Sequence, residues 1–230
     1  MSRYRPLLLG ATGLALFVLI YLSLAVAPEA AFFEAPLTQR IFYYHVPAAT
    51  AAYVAFGITF LGSLYVLWNE DKQGVEPRLA EADRWAAAAA EVGTLFSVVA
   101  LVTGLLWARV EFVFNYNAFQ DPKVISLVAL IVAYLGYFAL RRGVSEPTKR
   151  RRLSAVFGIA AVIGVPLTYF TSRVSVHPEF LRDGQDVSGG MLGIMFYGMF
   201  AFALLTVTLV DLRRGQLALA DRIDALEESS

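Results

Sequence analysis

The amino-acid sequence predicts an all-α integral membrane protein with six transmembrane helices and both termini in the cytoplasm. Apolar residues make up 58% of the 230, charged residues only 17%, and the charges sit in gaps between long apolar runs. Six of those runs are long enough, or nearly so, for a hydrocarbon layer of about 30 Å. They are Leu7–Ala27, Val46–Trp68, Ala86–Trp107, Val124–Leu140, Leu153–Thr171 and Met191–Val210. Lipid offers no water to backbone N–H and C=O groups, so each run is expected to be a helix. With the N-terminus inside, only Arg40, Arg109, Lys123, Arg173 and Arg182 of the 19 basic residues lie outside. That is a clear positive-inside bias. A single membrane domain over residues 1–230 follows, with 211–230 as a cytoplasmic tail.

The elements follow in order. Arg3 and Arg5 precede the first run, which is longer than a signal-peptide core and ends in a weak cleavage signal, Ala25-Val-Ala27. A retained helix is expected. His45 and Pro47 open the second helix, because proline suits a first turn whose N–H groups have no partner. From Pro47 to Trp68 that helix is ~33 Å long, which lifts His45 to the outer surface. Residues 69–85 suggest a short connector of mixed charge or an amphipathic turn. Glu91 lies near the inner end of the third run and is expected to be an interfacial or helix-paired carboxylate.

In the second outside loop Phe112, Phe114 and Tyr116 alternate as on one face of an extended strand, and Phe119 follows. These aromatics suit either an interfacial belt or a flat platform for a planar ligand. Asp121 and Pro122 have the pattern of an N-cap and first helical residue for the fourth helix. The basic run Arg141–Arg152 is explained by topology, with anionic lipid or a cytoplasmic partner as a second use. In the tail, Leu219, Ile223 and Leu226 fall at helical spacing. They predict a short amphipathic helix or a solvated tail.

Functional chemistry is sparse. No cysteine is present, which excludes disulfides, thiolate metal sites and the C-x-x-C-H attachment of c-type haem. Phosphate-loop, H-E-x-x-H and G-x-S-x-G motifs are also missing. Only two histidines occur, His45 and His177, and the predicted topology puts both outside. A pair of neutral imidazoles is thereby available to haem iron or another transition metal.

The stretch Arg40-Ile-Phe-Tyr-Tyr-His45-Val-Pro-Ala-Ala49 resembles the R-I-x-Y-x-H-V-P-A-A signature of the CcmC-type haem proteins of cytochrome c maturation. Ala100-Leu-Val-Thr-Gly104, Trp107-Ala-Arg109 and Asp121-Pro-Lys123 resemble further parts of that family, over roughly residues 37 to 211. The family's tryptophan-rich W-G-x-W-W-x-W-D segment is replaced here by Phe114-Asn-Tyr-Asn-Ala-Phe-Gln-Asp121. Two tryptophans that often precede the second histidine are replaced by Ser172 and Arg173.

The resemblance implies a non-catalytic protein of the inner membrane. It would hold haem b transiently at the outer face, with His45 and His177 as axial ligands. Trp107, Phe112, Phe114, Tyr116, Phe119 and Asp121 would form the loop against the macrocycle. Arg40, Arg109, Arg173 and Arg182 would pair the propionates. The implied partners are haem, an extracytoplasmic haem chaperone, ATP-binding-cassette transporter subunits with a small membrane subunit, and the lipid bilayer, with no nucleic acid.

Three other readings stand beside it. A haem lyase subunit would resemble larger relatives that carry histidines inside the membrane, which this chain lacks. An electron-transfer cytochrome would need histidines deep between helices. A permease-like subunit that has lost haem binding would account for the missing tryptophans.

Overall fold

The computed structural model describes residues 4–30, 36–112, 116–175 and 188–227. Within them every regular element is helical, and six helical segments are long and apolar enough to cross a membrane. The chain is a multi-pass membrane protein.

Helix α1, Arg5–Tyr21, ends in a π-helical turn at Leu22–Val26. A 3₁₀ turn, Thr38–Ile41, leads directly into α2, Phe42–Asn69. Helix α3 spans Glu76–Glu111 and α4 spans Pro122–Gly143. The fifth crossing is broken into α5, Pro147–Ala161, and α6, Gly164–Thr171, followed by a 3₁₀ turn at Ser172–Val174. Pro166 explains the break, because it has no N–H to give the carbonyl of Val162. Val165 supplies that bond instead, at 2.9 Å. The last helix, α7, runs unbroken from Gly189 to Glu227.

The α2–α3 pair is the most extensive contact and forms the spine of the bundle. Ala86, Ala87, Ala88, Ala89 and Ala90 of α3 are all buried, and such small side chains let helix backbones approach closely. On the other side of α2, Phe56 stacks on Tyr134 of α4 with ring centroids 3.9 Å apart. Thr12 and Thr208 share a 2.7 Å hydrogen bond that ties α1 to α7.

Three sequence expectations need correction. Pro47 lies inside α2 and not in its first turn, because the 3₁₀ turn and the residues from Phe42 already continue the helix. The carbonyl of Tyr43 therefore loses its i+4 partner. That oxygen is covered by α7 at Gly198, where a Cβ would lie only 2.9 Å away, so glycine makes the approach possible.

The second correction concerns the connector at 69–85. Only Glu70–Val75 separates α2 from α3, since Glu76 and Pro77 start α3 well before its apolar part. The third concerns the tail. It is neither a separate short helix nor a solvated coil up to Glu227, but an extension of α7 with Leu219, Ile223 and Leu226 exposed.

The extension is held by charge. Asp211, 3% exposed, accepts from Arg5 at 2.7 Å, from Arg214 at 2.9 Å and from Tyr4 at 3.2 Å. Arg214 also bridges to Glu81 of α3. Arg213 grips Glu91 in a two-toothed pair at 2.6 and 2.9 Å, which bears out a helix-paired role for that carboxylate. Arg141 of α4 holds Asp83 the same way at 2.7 and 2.9 Å. This arginine-rich end of the bundle is a network of charge-assisted bonds.

Its members are not equal. Removing the carboxylate of buried Asp211 leaves two cations short of a partner and is expected to cost about 3 kcal/mol. Asp221, about half exposed where it meets Arg84 at 2.7 Å, is expected to cost under about 1 kcal/mol. Thermal unfolding in detergent of Asp211→Ala and Asp221→Ala measures the contrast, and equal losses would contradict it.

Candidate functional site

At the opposite end of the bundle the structure forms one well-shaped apolar cleft. Helix α2 contributes Phe42, His45 and Val46, α3 contributes Leu101, Gly104, Trp107 and Phe112, and α4 contributes Lys123, Val124 and Leu127. Tyr116, Asp121 and Ser175 close its rim. It holds about 830 Å³ of empty space including its mouth.

His45 is the fourth residue of α2 and half-buried. From there to Asn69 the helix rises about 36 Å, more than a hydrocarbon layer needs, so His45 lies at the membrane edge and not at mid-depth. Its Nδ1 is 3.0 Å from Oγ1 of Thr103. The Thr103 hydroxyl lies 2.7 Å from the carbonyl of Val99, which takes its single proton. Thr103 must then accept from His45, so Nδ1 carries the hydrogen and Nε2 carries the lone pair. The ring rests on Gly104, where a Cβ would come within 2.9 Å of its Cε1.

One wall is aromatic. Trp107 meets Phe112 edge-on with centroids 5.3 Å apart, and Phe112 meets Tyr116 at 5.5 Å. Helix α3 carries this face outward to Glu111, so Phe112 belongs to a helix end and not to a strand. Phe119 stands apart, 90% exposed on the turn beyond.

Asp121 organises the rim. It caps α4 by accepting from the N–H of Lys123 at 2.8 Å, with Pro122 as first helical residue, as its sequence pattern predicts. Ser175, from the segment after α6, donates to both its oxygens at 2.8 and 3.0 Å. Tyr116 faces the same carboxylate. Burial and then the Asp121 charge push the Tyr116 phenol up to about 12, so it stays protonated at physiological pH. One carboxylate thus joins α4, the α3–α4 loop and the segment that follows α6.

Among the described residues of the cleft Lys123 is the cation, and its ammonium donates to the carbonyl of Thr168 at 2.8 Å. No arginine lines it among those residues. Arg109 is exposed, Arg40 sits half-buried in the 3₁₀ turn, and Arg173 packs over the rings of Phe170 and Tyr169. The structure therefore gathers His45, Trp107, Phe112, Tyr116 and Asp121, and leaves Phe119, Arg40, Arg109 and Arg173 outside the cleft. His177, Phe114 and Arg182 lie outside the described residues. Ser175, two residues before His177 in sequence, is on the rim.

The cytochrome c assembly protein family matches residues 3–177, a stretch that includes both histidines. The chain belongs to that family. The heme exporter protein C of Bradyrhizobium diazoefficiens is 30% identical over 214 residues, which is 90% of this chain and 76% of that relative. The heme exporter protein C of Escherichia coli K12 is 25% identical, covering 79% and 71% of the two chains. A putative cytochrome c biosynthesis ccmC-like mitochondrial protein of Marchantia polymorpha is 25% identical over 95% and 90%.

Within this member of the cytochrome c assembly family, three cleft residues, Gly104, Lys123 and Ser175, and Thr103 behind His45 escape a sequence reading of the site. Thr103 and Gly104 stand in the motif Ala100–Gly104, and Lys123 ends Asp121-Pro-Lys123, so position in a motif was their signal. Ser175 has none, because only the folded chain brings it to Asp121.

The Asp121 rim makes a separable prediction. Asp121→Ala is expected to cost about 1 kcal/mol through loss of the α4 cap and to free the Ser175 segment. Ser175→Ala is expected to free that segment alone. Tryptic cleavage after Arg173 should then accelerate several-fold in both variants, while only Asp121→Ala lowers the melting temperature appreciably.

Proposed function

We propose that this chain holds haem b transiently at the extracytoplasmic face of the inner membrane, between His45 and His177, and passes it to an extracytoplasmic haem chaperone. The observation that carries the proposal is the His45 imidazole, set in an apolar cleft at the membrane edge with its Nδ1 against Thr103. The names of the relatives, heme exporter protein C, support haem as the cargo. The charge bias of the loops supports placing this end outside and both termini inside.

The chemistry fits the donor set. Haem is a broad apolar plate with two anionic propionates and two axial positions on its iron. Trp107, Phe112 and Tyr116 cover an apolar face and keep water from it. Lys123 would bring a positive charge to a propionate at the rim, with Arg40, Arg109 and Arg173 as cations farther out. His45 would supply an imidazole nitrogen to the iron. Ser175, held by Asp121, anchors the chain at the cleft two residues before His177 in sequence, which would be the second ligand.

On this reading the chain works as a carrier, in keeping with relatives named heme exporter protein C. Energy for releasing a loaded chaperone would come from ATP-binding-cassette subunits acting with a small membrane subunit.

Protein purified in detergent after expression with ample haem is expected to show a low-spin spectrum. His45→Ala and His177→Ala should each lose that spectrum or shift it to high spin. Unchanged low-spin spectra in both variants would overturn the proposal. Wild-type protein that never takes up haem, even with its partners co-expressed, would favour a permease-like subunit without haem. For orientation, alkaline phosphatase fused after Gln120 should be active in the periplasm and the same fusion after Glu227 inactive.

A further inference from the structure

We infer that Thr103 and Gly104 are positioning residues that fix the imidazole of His45 in the tautomer and place needed for axial ligation. The inference rests on the haem-holding reading and adds the device that readies the ligand before the cargo arrives.

Neutral imidazole in water favours the hydrogen on Nε2, which is the wrong tautomer for a ligand that must present Nε2 to a metal. A metal-binding histidine is therefore held by a second hydrogen bond on its other nitrogen, usually to a carboxylate or a backbone carbonyl. Here α3 provides neither group to His45. It provides a hydroxyl that has already spent its proton. Thr103 lies 2.7 Å from the Val99 carbonyl and 3.2 Å from that of Ala100, and both can only accept. The remaining contact, 3.0 Å to Nδ1 of His45, requires the imidazole to donate. Through the i−4 carbonyl the helix thus turns an amphoteric hydroxyl into a one-way acceptor.

Gly104 supplies the second half. An ideal Cβ at this position would lie 2.9 Å from Cε1, 3.4 Å from Nδ1 and 3.8 Å from Nε2. The ring leans on α3 with its Nδ1–Cε1 edge, and Nε2 is the nitrogen farther from that helix. Alanine would push the ring away from Thr103. Two adjacent residues of one helix therefore set hydrogen position and ring position together.

The test has a readout that needs no haem. In His177→Ala protein His45 is the single histidine, so its ring nitrogens can be assigned in full-length, histidine-¹⁵N-labelled protein in detergent. About two pH units above the ordinary imidazole pKa, the spectrum is expected to show a protonated Nδ1 and a bare Nε2. Adding Thr103→Val should shift the ring towards Nε2–H, and Thr103→Ser should restore the original pattern. A bare Nδ1 in the Thr103 protein, or the same spectrum with and without the hydroxyl, would overturn the inference.

In otherwise native protein loaded with haem, Thr103→Val and Gly104→Ala should weaken retention at least about 10-fold, with rescue by Thr103→Ser. Low-spin spectra and retention unchanged in Thr103→Val, while His45→Ala loses haem, would overturn the inference and leave the haem-holding reading intact. Spectra indifferent to His45→Ala would strike the reading itself, and the tautomer measurement would still decide the role of Thr103.

Discussion

A hydrocarbon layer cannot satisfy a peptide group, and every feature of this chain follows from that constraint. Between the membrane edges the backbone must bond to itself, so polar chemistry is confined to helix ends, where N–H and C=O groups run out of partners. Departures from regular helix show how strictly this applies. The carbonyl that Pro47 leaves without a partner is covered at once by α7 at Gly198. The one that Pro166 leaves is taken by a 3₁₀ bond from Val165. A ligand site for a polar-edged plate could only be assembled where α2 begins, α3 ends and α4 begins, and the cleft is found there.

The two ends of the bundle are held differently. At the arginine-rich end α1, α3, α4 and α7 are joined by multidentate ion pairs through Asp211, Glu81, Asp83 and Glu91. At the histidine end the described joints are hydroxyl bonds. Asp121 holds two loops by hydroxyl donors, and Thr103 holds the His45 ring by one bond. Charge-assisted pairs of good geometry are roughly twice as strong as neutral bonds.

Much of the fold was legible in the sequence because hydrophobic run length and breaker residues have local causes. The six crossings, the Asp121 cap and the pairing of Glu91 all follow from composition and position along the chain. What was hidden depends on neighbours distant in sequence. Helical spacing hinted at order in the tail, but that α7 runs unbroken to Glu227 and α3 begins already at Glu76 depends on distant ion pairs. The place of Pro47 was misjudged for a related reason. A proline inside a helix is costly unless another element covers the exposed carbonyl, and α7 does so from 150 residues away.

Of the site, His45 was found from its motif and the aromatic wall from its loop, whereas Thr103 was visible only as part of a conspicuous pentapeptide. Four outside arginines looked interchangeable as cations for an anionic edge. In the fold Arg173 is engaged by Phe170 and Tyr169, Arg109 is exposed, and Lys123 of the Asp121-Pro-Lys123 motif stands in the cleft.

The absence of the family's tryptophans in the loop before Asp121 has a physical consequence under the haem-holding reading. Stacked indoles provide the largest apolar contact any side chain can offer, and apolar contact is worth about 25 cal/mol per Å². Where smaller rings and asparagines stand instead, less of the affinity for a planar cargo comes from its faces and more from its iron. Axial ligation then has to be well prepared, since a bond that must first reorient an imidazole gives back part of its strength. A ring seated on Gly104, with its Nδ1 hydrogen committed to Thr103, carries no such cost. The histidine that seems isolated in the sequence is, in the fold, the most closely prepared side chain of the site.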